Sequence, residues 1–127
     1  KETLENFPTN INTIPFLNKE DLKNEYHKHL CYLQVSINEG FGCALAEAIL
    51  SGCIPIVSNV GALPNVIKNN GFIIDKKKVD HLHKAIQKVL NLNAEEKKKL
   101  SLKGQKNISE NFDVSIRETL ILQLIEN

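Results

Sequence analysis

The sequence lacks the features that mark membrane-spanning, secreted or metal-clustered proteins. No apolar run comes near the ~20 residues that a membrane-spanning helix needs, and nothing resembles a signal peptide. The three cysteines, Cys31, Cys43 and Cys53, are odd in number and lack C-x-x-C spacing. Neither a disulfide framework nor a zinc site is therefore indicated. We expect reduced thiols and a cytoplasmic location.

Methionine is absent altogether, and the chain opens with Lys1. Because translation starts with methionine, we expect the chain to be a piece of a longer protein. Its 127 residues allow at most one domain with a single modest core. The formal net charge of +1 gives no electrostatic argument for nucleic acid, so no nucleic-acid partner is expected.

The apolar pattern alternates between strand-like and helix-like periods, which is typical of an α/β protein with a parallel sheet. The nearly all-apolar run at 54–59 predicts a strand covered on both faces. The other predicted strands are 11–17, 31–36 and 71–75. Helices are predicted from Asn18 as a cap to Leu30, from the turn at Gly42 to Gly52, briefly at 65–68, and over 79–90, 94–106 and 114–126.

The stretch EGFGCALAE, residues 39–47, combines two glycines with a helix start after a predicted strand. Unpaired amide groups in a first helical turn, together with the helix dipole, favour an anion, and glycine lets a phosphate approach closely. We therefore interpret Gly40 and Gly42 as part of a diphosphate seat. The alternative is that such a glycine pair makes only a tight connection.

Two carboxylates flank that seat. Glu47 lies about one and a half turns into the helix, and its side chain leans back toward the turn that Glu39 borders. A carboxylate beside a diphosphate is repelled by it, so each acid is expected to bind hydroxyl groups, as in a nucleotide sugar. The alternative is that Glu39 only favours the positive helix end and that Glu47 is solvated.

The stretch EGFGCALAEAILSGCIPIVSNVGALPNVI, residues 39–67, resembles the donor-binding motif of the retaining glycosyltransferases of family four, which have the GT-B fold. The resemblance implies a Rossmann-like parallel sheet flanked by helices, belonging to the C-terminal domain of such an enzyme. It extends more loosely over most of the chain.

The resemblance also implies roles for individual residues. Glu39 would contact the donor sugar and serve catalysis, and Glu47 would bond the ribose hydroxyls. The donor site as a whole would comprise Leu17, Glu39, Gly40, Phe41, Gly42, Cys43, Ala44, Glu47 and Gly61, with the amides from Phe41 to Ala44 holding the distal phosphate. The implied donor is a UDP-, GDP- or ADP-sugar, and no metal or cofactor is expected.

The implied reaction transfers a sugar, with retention, to an acceptor glycan or lipid-linked sugar in glycan or surface-polysaccharide synthesis. An N-terminal acceptor domain and the first strands of this domain, with their basic phosphate-clamping residues, are expected upstream of Lys1. We accordingly expect these residues alone to be inactive, and to be stable only within a longer chain. The alternative is a non-catalytic Rossmann-type nucleotide- or phosphate-binding module, or a degenerate transferase copy.

The histidine pairs and the lysine runs have plainer interpretations. His27 and His29, like His81 and His83, are spaced two apart and point in diverging directions, so surface or half-buried positions are expected. The lysine runs at 76–78 and 97–99 are interpreted as solvated faces. A peripheral position at the inner face of an anionic membrane is the alternative, against which the mixed signs of these segments argue.

Overall fold

The computed structural model describes residues 9–36, 42–75 and 78–112. Three parallel strands form one sheet in the order β1 (Cys31–Gln34), β2 (Ile54–Ser58) and β3 (Phe72–Ile74). The described residues also form five helices: α1 (Lys19–His27), α2 (Cys43–Leu50), α3 (Leu63–Ile67), α4 (Val79–Asn91) and α5 (Ala94–Asn111). The predicted α/β class and parallel sheet are confirmed.

The central strand β2 is buried along its whole length, as its apolar composition predicts. Leu45, Ile49 and Val57 pack in one cluster between the sheet and the helices α2, α3 and α5. Ile54 and Ile56 pack on the opposite face with Val89 of α4. The core therefore lies on both faces of β2, and it positions α2 and α3 against one face.

Pro55 is tolerated in the central strand because of where its missing N–H would point. The N–H of Ile54 donates to the Leu30 carbonyl at 2.8 Å, toward the β1 side, so position 55 faces the β3 side. The β2–β3 ladder begins only at the pair Ile56 and Phe72. Gly71 precedes that ladder, and a Cβ there would lie 2.6 Å from the Pro55 carbonyl oxygen. Pro55 and Gly71 therefore lie against each other just before the β2–β3 pairing begins.

The helix boundaries follow their capping residues. Asn18 accepts a hydrogen bond from the Asp21 amide at 2.8 Å and begins α1, as predicted. Asn93 and Glu96 form a capping box that begins α5. The helix α2 ends before Gly52, also as predicted. No helix in the described ranges is both long and apolar enough to cross a bilayer.

The predicted strand at 11–17 is wrong. These residues form no regular element, and the side chain of Phe16 is 99% exposed. A strand requires a neighbour to pair with its backbone, and no described strand runs beside this segment. Its apolar residues therefore did not suffice to make it a strand. The helix predicted at 114–126 lies outside the described residues.

Candidate functional site

The carboxyl ends of the three parallel strands share one edge of the sheet, and α2 and α3 begin there. Gly42 is the N-cap of α2 and has a left-handed conformation, with φ of 81°. A Cβ on Gly42 would lie 2.9 Å from Cδ2 of Leu63, the first residue of α3. Both the conformation and the close contact require glycine. The starts of α2 and α3 therefore adjoin at this edge.

The first turn of α2 offers backbone donors without competing acids. The helical hydrogen bonds begin with the Ala46 amide, which donates to the Gly42 carbonyl at 3.0 Å. No side chain among the described residues caps the helix, and its first turn holds no acidic residue. The amides of Cys43 and Ala44 therefore lie at an uncapped, positive helix end, which is the arrangement that binds anions.

The loop after β2 reaches the same edge. Gly61 is exposed, has φ of 53°, and lies two residues before the start of α3. Asn59 Nδ2 donates to the Asp75 carboxylate at 3.3 Å, which links this loop to the end of β3. The predicted site residues Gly42 and Gly61 are thus brought to neighbouring helix starts.

Ser58 is a site-edge residue that the sequence patterns did not single out. Its buried hydroxyl accepts a hydrogen bond from the Ser36 amide at 2.6 Å and donates to the Gln34 carbonyl at 3.2 Å. These bonds join the end of β2 to the backbone that follows β1. A serine closing an apolar strand run was the only available signal, and its partners lie 22 and 24 positions away.

Glu47 lies half-buried in a groove between α1 and α2. The groove has a volume of about 450 Å³, and Phe112 lies at the end of α5 that borders it. The i, i+3, i+4 and i+7 positions of both helices line it, so the two helices present matching faces. These positions are Lys19, Leu22, Lys23 and Tyr26 on α1, and Cys43, Ala46, Glu47 and Leu50 on α2.

Charged side chains of both signs line the groove. The Glu47 side chain makes no hydrogen bond or ion pair within the described residues, although Lys19 and Lys23 line the same groove. Burial, and secondarily the nearby Glu47 carboxylate, raises the pKa of the Tyr26 hydroxyl. An apolar groove with a few polar groups at its rim suits a ligand with both a ring and hydroxyl groups.

Three of the predicted site residues, Glu39, Gly40 and Phe41, lie outside the described residues. Leu17 is half-buried and directly precedes the Asn18 cap of α1, close in the chain to Lys19 of the groove. The structure therefore describes Gly42 to Ala44 of the predicted diphosphate seat, the Glu47 groove and the Gly61 loop.

Hydrogen-bonding contacts and exposure to solvent account for the histidines and for Cys53. His29 Nε2 lies 3.0 Å from the Glu25 carboxylate, and His27 and His83 are exposed while His81 is half-buried, as predicted. The Cys53 thiol donates to the Tyr26 carbonyl at 3.2 Å, and burial raises its pKa. Within the described ranges, no group of three or more histidine, cysteine, aspartate or glutamate residues could hold a metal ion.

The fold and the site at the start of α2 point to one class of protein. Residues 3–107 match the family model of the glycosyl transferases group 1, and the chain belongs to that family. Its sheet and helices form the Rossmann-like arrangement of a GT-B glycosyltransferase domain.

One solved structure illustrates the likeness. Sucrose-phosphate synthase from Thermosynechococcus elongatus superposes with a TM-score of 0.74 at 23% sequence identity. The match covers 89% of this chain and 29% of that chain, so these residues span less than a third of that protein's length. No curated protein matches the sequence.

Proposed function

We propose that this chain is the donor-binding portion of a retaining glycosyltransferase, which moves a sugar from a UDP-, GDP- or ADP-sugar to an acceptor hydroxyl. The start of α2 carries this proposal, because Gly42 begins the helix in a left-handed conformation, packed closely against Leu63, and no side chain among the described residues caps it. Membership of the glycosyl transferases group 1 supports glycosyl transfer as the activity.

The amides of Cys43 and Ala44 would bind the distal phosphate of the donor. In the transfer step, the bond between the anomeric carbon and the phosphate oxygen breaks, and negative charge grows on the leaving diphosphate. Fixed amide donors and the positive helix end stabilise that growing charge more than the charge of the bound donor. This preference for the transition state is the catalytic contribution proposed for α2.

Glu47 would accept hydrogen bonds from the ribose hydroxyls. The support is its half-buried carboxylate, which lacks a partner within the described residues, in a groove that begins beside Cys43. A charged acceptor for two hydroxyl donors gives strong, orienting hydrogen bonds. Leu17, ahead of α1, would border the base, and Gly61 would let the β2–α3 loop approach the donor.

Glu39 is proposed to position the sugar for attack, with the acceptor glycan or lipid-linked sugar bound by a part of the protein beyond these residues. We propose that the transfer proceeds without a metal ion, since the amides and helix dipole supply the positive potential that the leaving diphosphate needs. Polysaccharide or glycoconjugate synthesis is the proposed setting.

Calorimetric titration of the full-length protein with UDP, GDP and ADP tests the proposed donor site. We expect Glu47→Gln to weaken binding of the preferred diphosphate by about 10- to 100-fold, because a charged hydrogen bond contributes about 1.5–3 kcal/mol. Glu110→Gln, a matched change on the exposed face of α5, should leave the affinity unchanged. Unchanged affinity in Glu47→Gln would exclude its role.

A second variant separates the phosphate seat from the ribose contact. Gly42→Ala should reduce the affinity difference between a nucleoside diphosphate and its nucleoside, because the added methyl group disturbs the start of α2. Glu39→Ala should bind the diphosphate nearly normally and fail mainly in turnover. Diphosphate binding without transfer or donor hydrolysis from any nucleotide sugar would instead identify a non-catalytic module.

A further inference from the structure

The helix α5 carries a lysine-rich outer face that the donor site does not use. Residues 97–109 contain five lysines and no acidic residue, whereas the acids of this helix lie at its ends, at Glu95, Glu96 and Glu110. The positive and negative side chains of this segment therefore lie at different positions along the helix. The middle of α5 presents one sign of charge.

The buried side of α5 shows which residues of this helix face outward. Gly104 and Ile108 are buried, and a Cβ added at Gly104 would lie 3.1 Å from Cγ2 of Ile49 on α2. Leu102 lies on the other side of the helix and is 54% exposed. Four exposed lysines surround it, and together with Leu102 they form what we call the α5 outer face: Lys98, Lys99, Lys103 and Lys106.

Of these four lysines, only Lys106 has an acidic partner among the described residues. The ammonium group of Lys106 lies 3.9 Å from the Glu110 carboxylate, with both side chains mostly exposed, so this pair is weak. The other three lysines form no ion pair within the described ranges. The α5 outer face is thus a convex cationic surface with an aliphatic side chain at its centre.

We propose that the α5 outer face docks on an anionic lipid bilayer surface. Lysines gain electrostatic attraction near anionic headgroups, and an exposed leucine among them can enter the boundary between headgroups and acyl chains. The stretch 97–109 has no arginine and no aromatic residue, which nucleic-acid sites use for bidentate contacts and stacking. A bilayer fits this composition better than a nucleic acid does.

Vesicle co-sedimentation of the full-length protein tests the docking. At low salt, wild type should bind vesicles of equal parts phosphatidylcholine and phosphatidylglycerol far better than vesicles of phosphatidylcholine alone. Each lysine near an anionic surface contributes about a fivefold increase in partitioning, so K98Q/K99Q/K103Q/K106Q should weaken binding by about 600-fold. Leu102→Gln should weaken it several-fold and leave the salt dependence unchanged.

A charge-matched control separates a local surface from net charge. K68Q/K78Q/K84Q/K88Q removes the same amount of positive charge at exposed positions outside α5, and it should retain most of the binding. Circular dichroism and thermal melting should show that both quadruple variants fold as wild type does. Equal losses in the two variants, failure of wild type to bind the anionic vesicles, or tighter binding to duplex DNA than to vesicles would each overturn the proposal.

Discussion

Ser58 shows how one side chain joins two strands at the edge where the donor site is proposed. The backbone pairing between β1 and β2 ends at Gln34 and Val57. Beyond it, the Ser58 hydroxyl connects the two chain segments by accepting a hydrogen bond from the Ser36 amide and donating one to the Gln34 carbonyl. Buried hydroxyls are costly unless both roles are satisfied, and here the hydroxyl both accepts and donates. The backbone leading into 37–41 is thereby tied to the core.

Ser58→Ala is expected to destabilise the protein by about 1–3 kcal/mol, because it removes both bonds from a buried position. Since Glu39 lies in the stretch that follows Ser36, sugar transfer should fall more than nucleoside diphosphate affinity. Urea unfolding and a comparison of kcat with nucleotide Kd measure the two effects. Ser58→Thr keeps the hydroxyl and should restore most of both, while Ser109→Ala, at an exposed position, should change neither.

The buried thiol of Cys53 and the half-buried thiol of Cys31 predict a loss of stability at alkaline pH. Burial raises the pKa of both Cys31 and Cys53 above the usual thiol range, with a smaller opposing effect of Lys97 on Cys31. The folded state therefore holds its thiol protons to higher pH than the unfolded state. This contribution is intact below the unfolded pKa of about 8.5 and is lost as the pH rises from there through the folded pKa.

Denaturant unfolding of the full-length protein between neutral pH and about pH 10 checks the sign. Stability should fall with rising pH, and the slope should be smaller in Cys53→Ala, whatever that variant costs at neutral pH. A Cys53→Ala variant with the same alkaline slope as wild type would show that this thiol does not contribute.

At the scale of elements, α1 and α5 begin with similar caps but differ in what they bury. Both start at an asparagine whose side chain accepts an amide hydrogen bond of 2.8 Å. The helix α1 has no buried residue, whereas α5 buries Gly104 and Ile108. The same local interaction should therefore matter for global unfolding only where the helix contributes to the core.

Asn93→Ala is expected to lower the free energy of unfolding by about 0.5–2 kcal/mol, because it removes the capping box of α5. Asn18→Ala should mainly increase local fraying of α1, since that helix can open without disrupting buried contacts. Global unfolding in urea and amide hydrogen exchange along α1 distinguish the two. Equal effects of both variants on global unfolding would contradict the difference in burial.

For the whole molecule, the described sheet leaves β1 at an edge. Leu33 on β1 is 45% exposed, and its neighbours Leu30 and Val35 are 38% and 40% exposed. Strands of a parallel sheet are normally covered on both faces, and an exposed apolar edge invites pairing with other chains. The edge is explained if another element of the longer protein covers it.

We predict that these 127 residues expressed alone aggregate or melt without cooperativity, whereas the full-length protein melts cooperatively. Leu33→Lys should improve the solubility of the short chain by placing a charge on the edge, and Leu102→Lys, on exposed α5, should help less. Light scattering and calorimetry measure both properties. A monomeric, cooperatively melting short chain would contradict this expectation.

The sequence by itself determined the features that local pattern controls. An all-apolar run made β2 a strand buried on both faces, Asn18 began α1, and the turn at Gly42 began α2. Period, capping chemistry and left-handed backbone geometry act over a few residues, so they can be read along the chain. The family motif likewise depends on closely spaced residues.

Only the tertiary structure decided which distant groups meet. The apolar segment at 11–17 does not form a strand, because pairing needs a neighbouring strand that local sequence cannot supply. The bond between Ser58 and Ser36 depends on packing between elements, and so does the groove that Glu47 shares with Lys19 and Lys23. Packing also decides that Gly104 and Ile108 of α5 are buried while Leu102 faces outward. Those contacts join residues far apart in sequence, and burial rather than local propensity selects them.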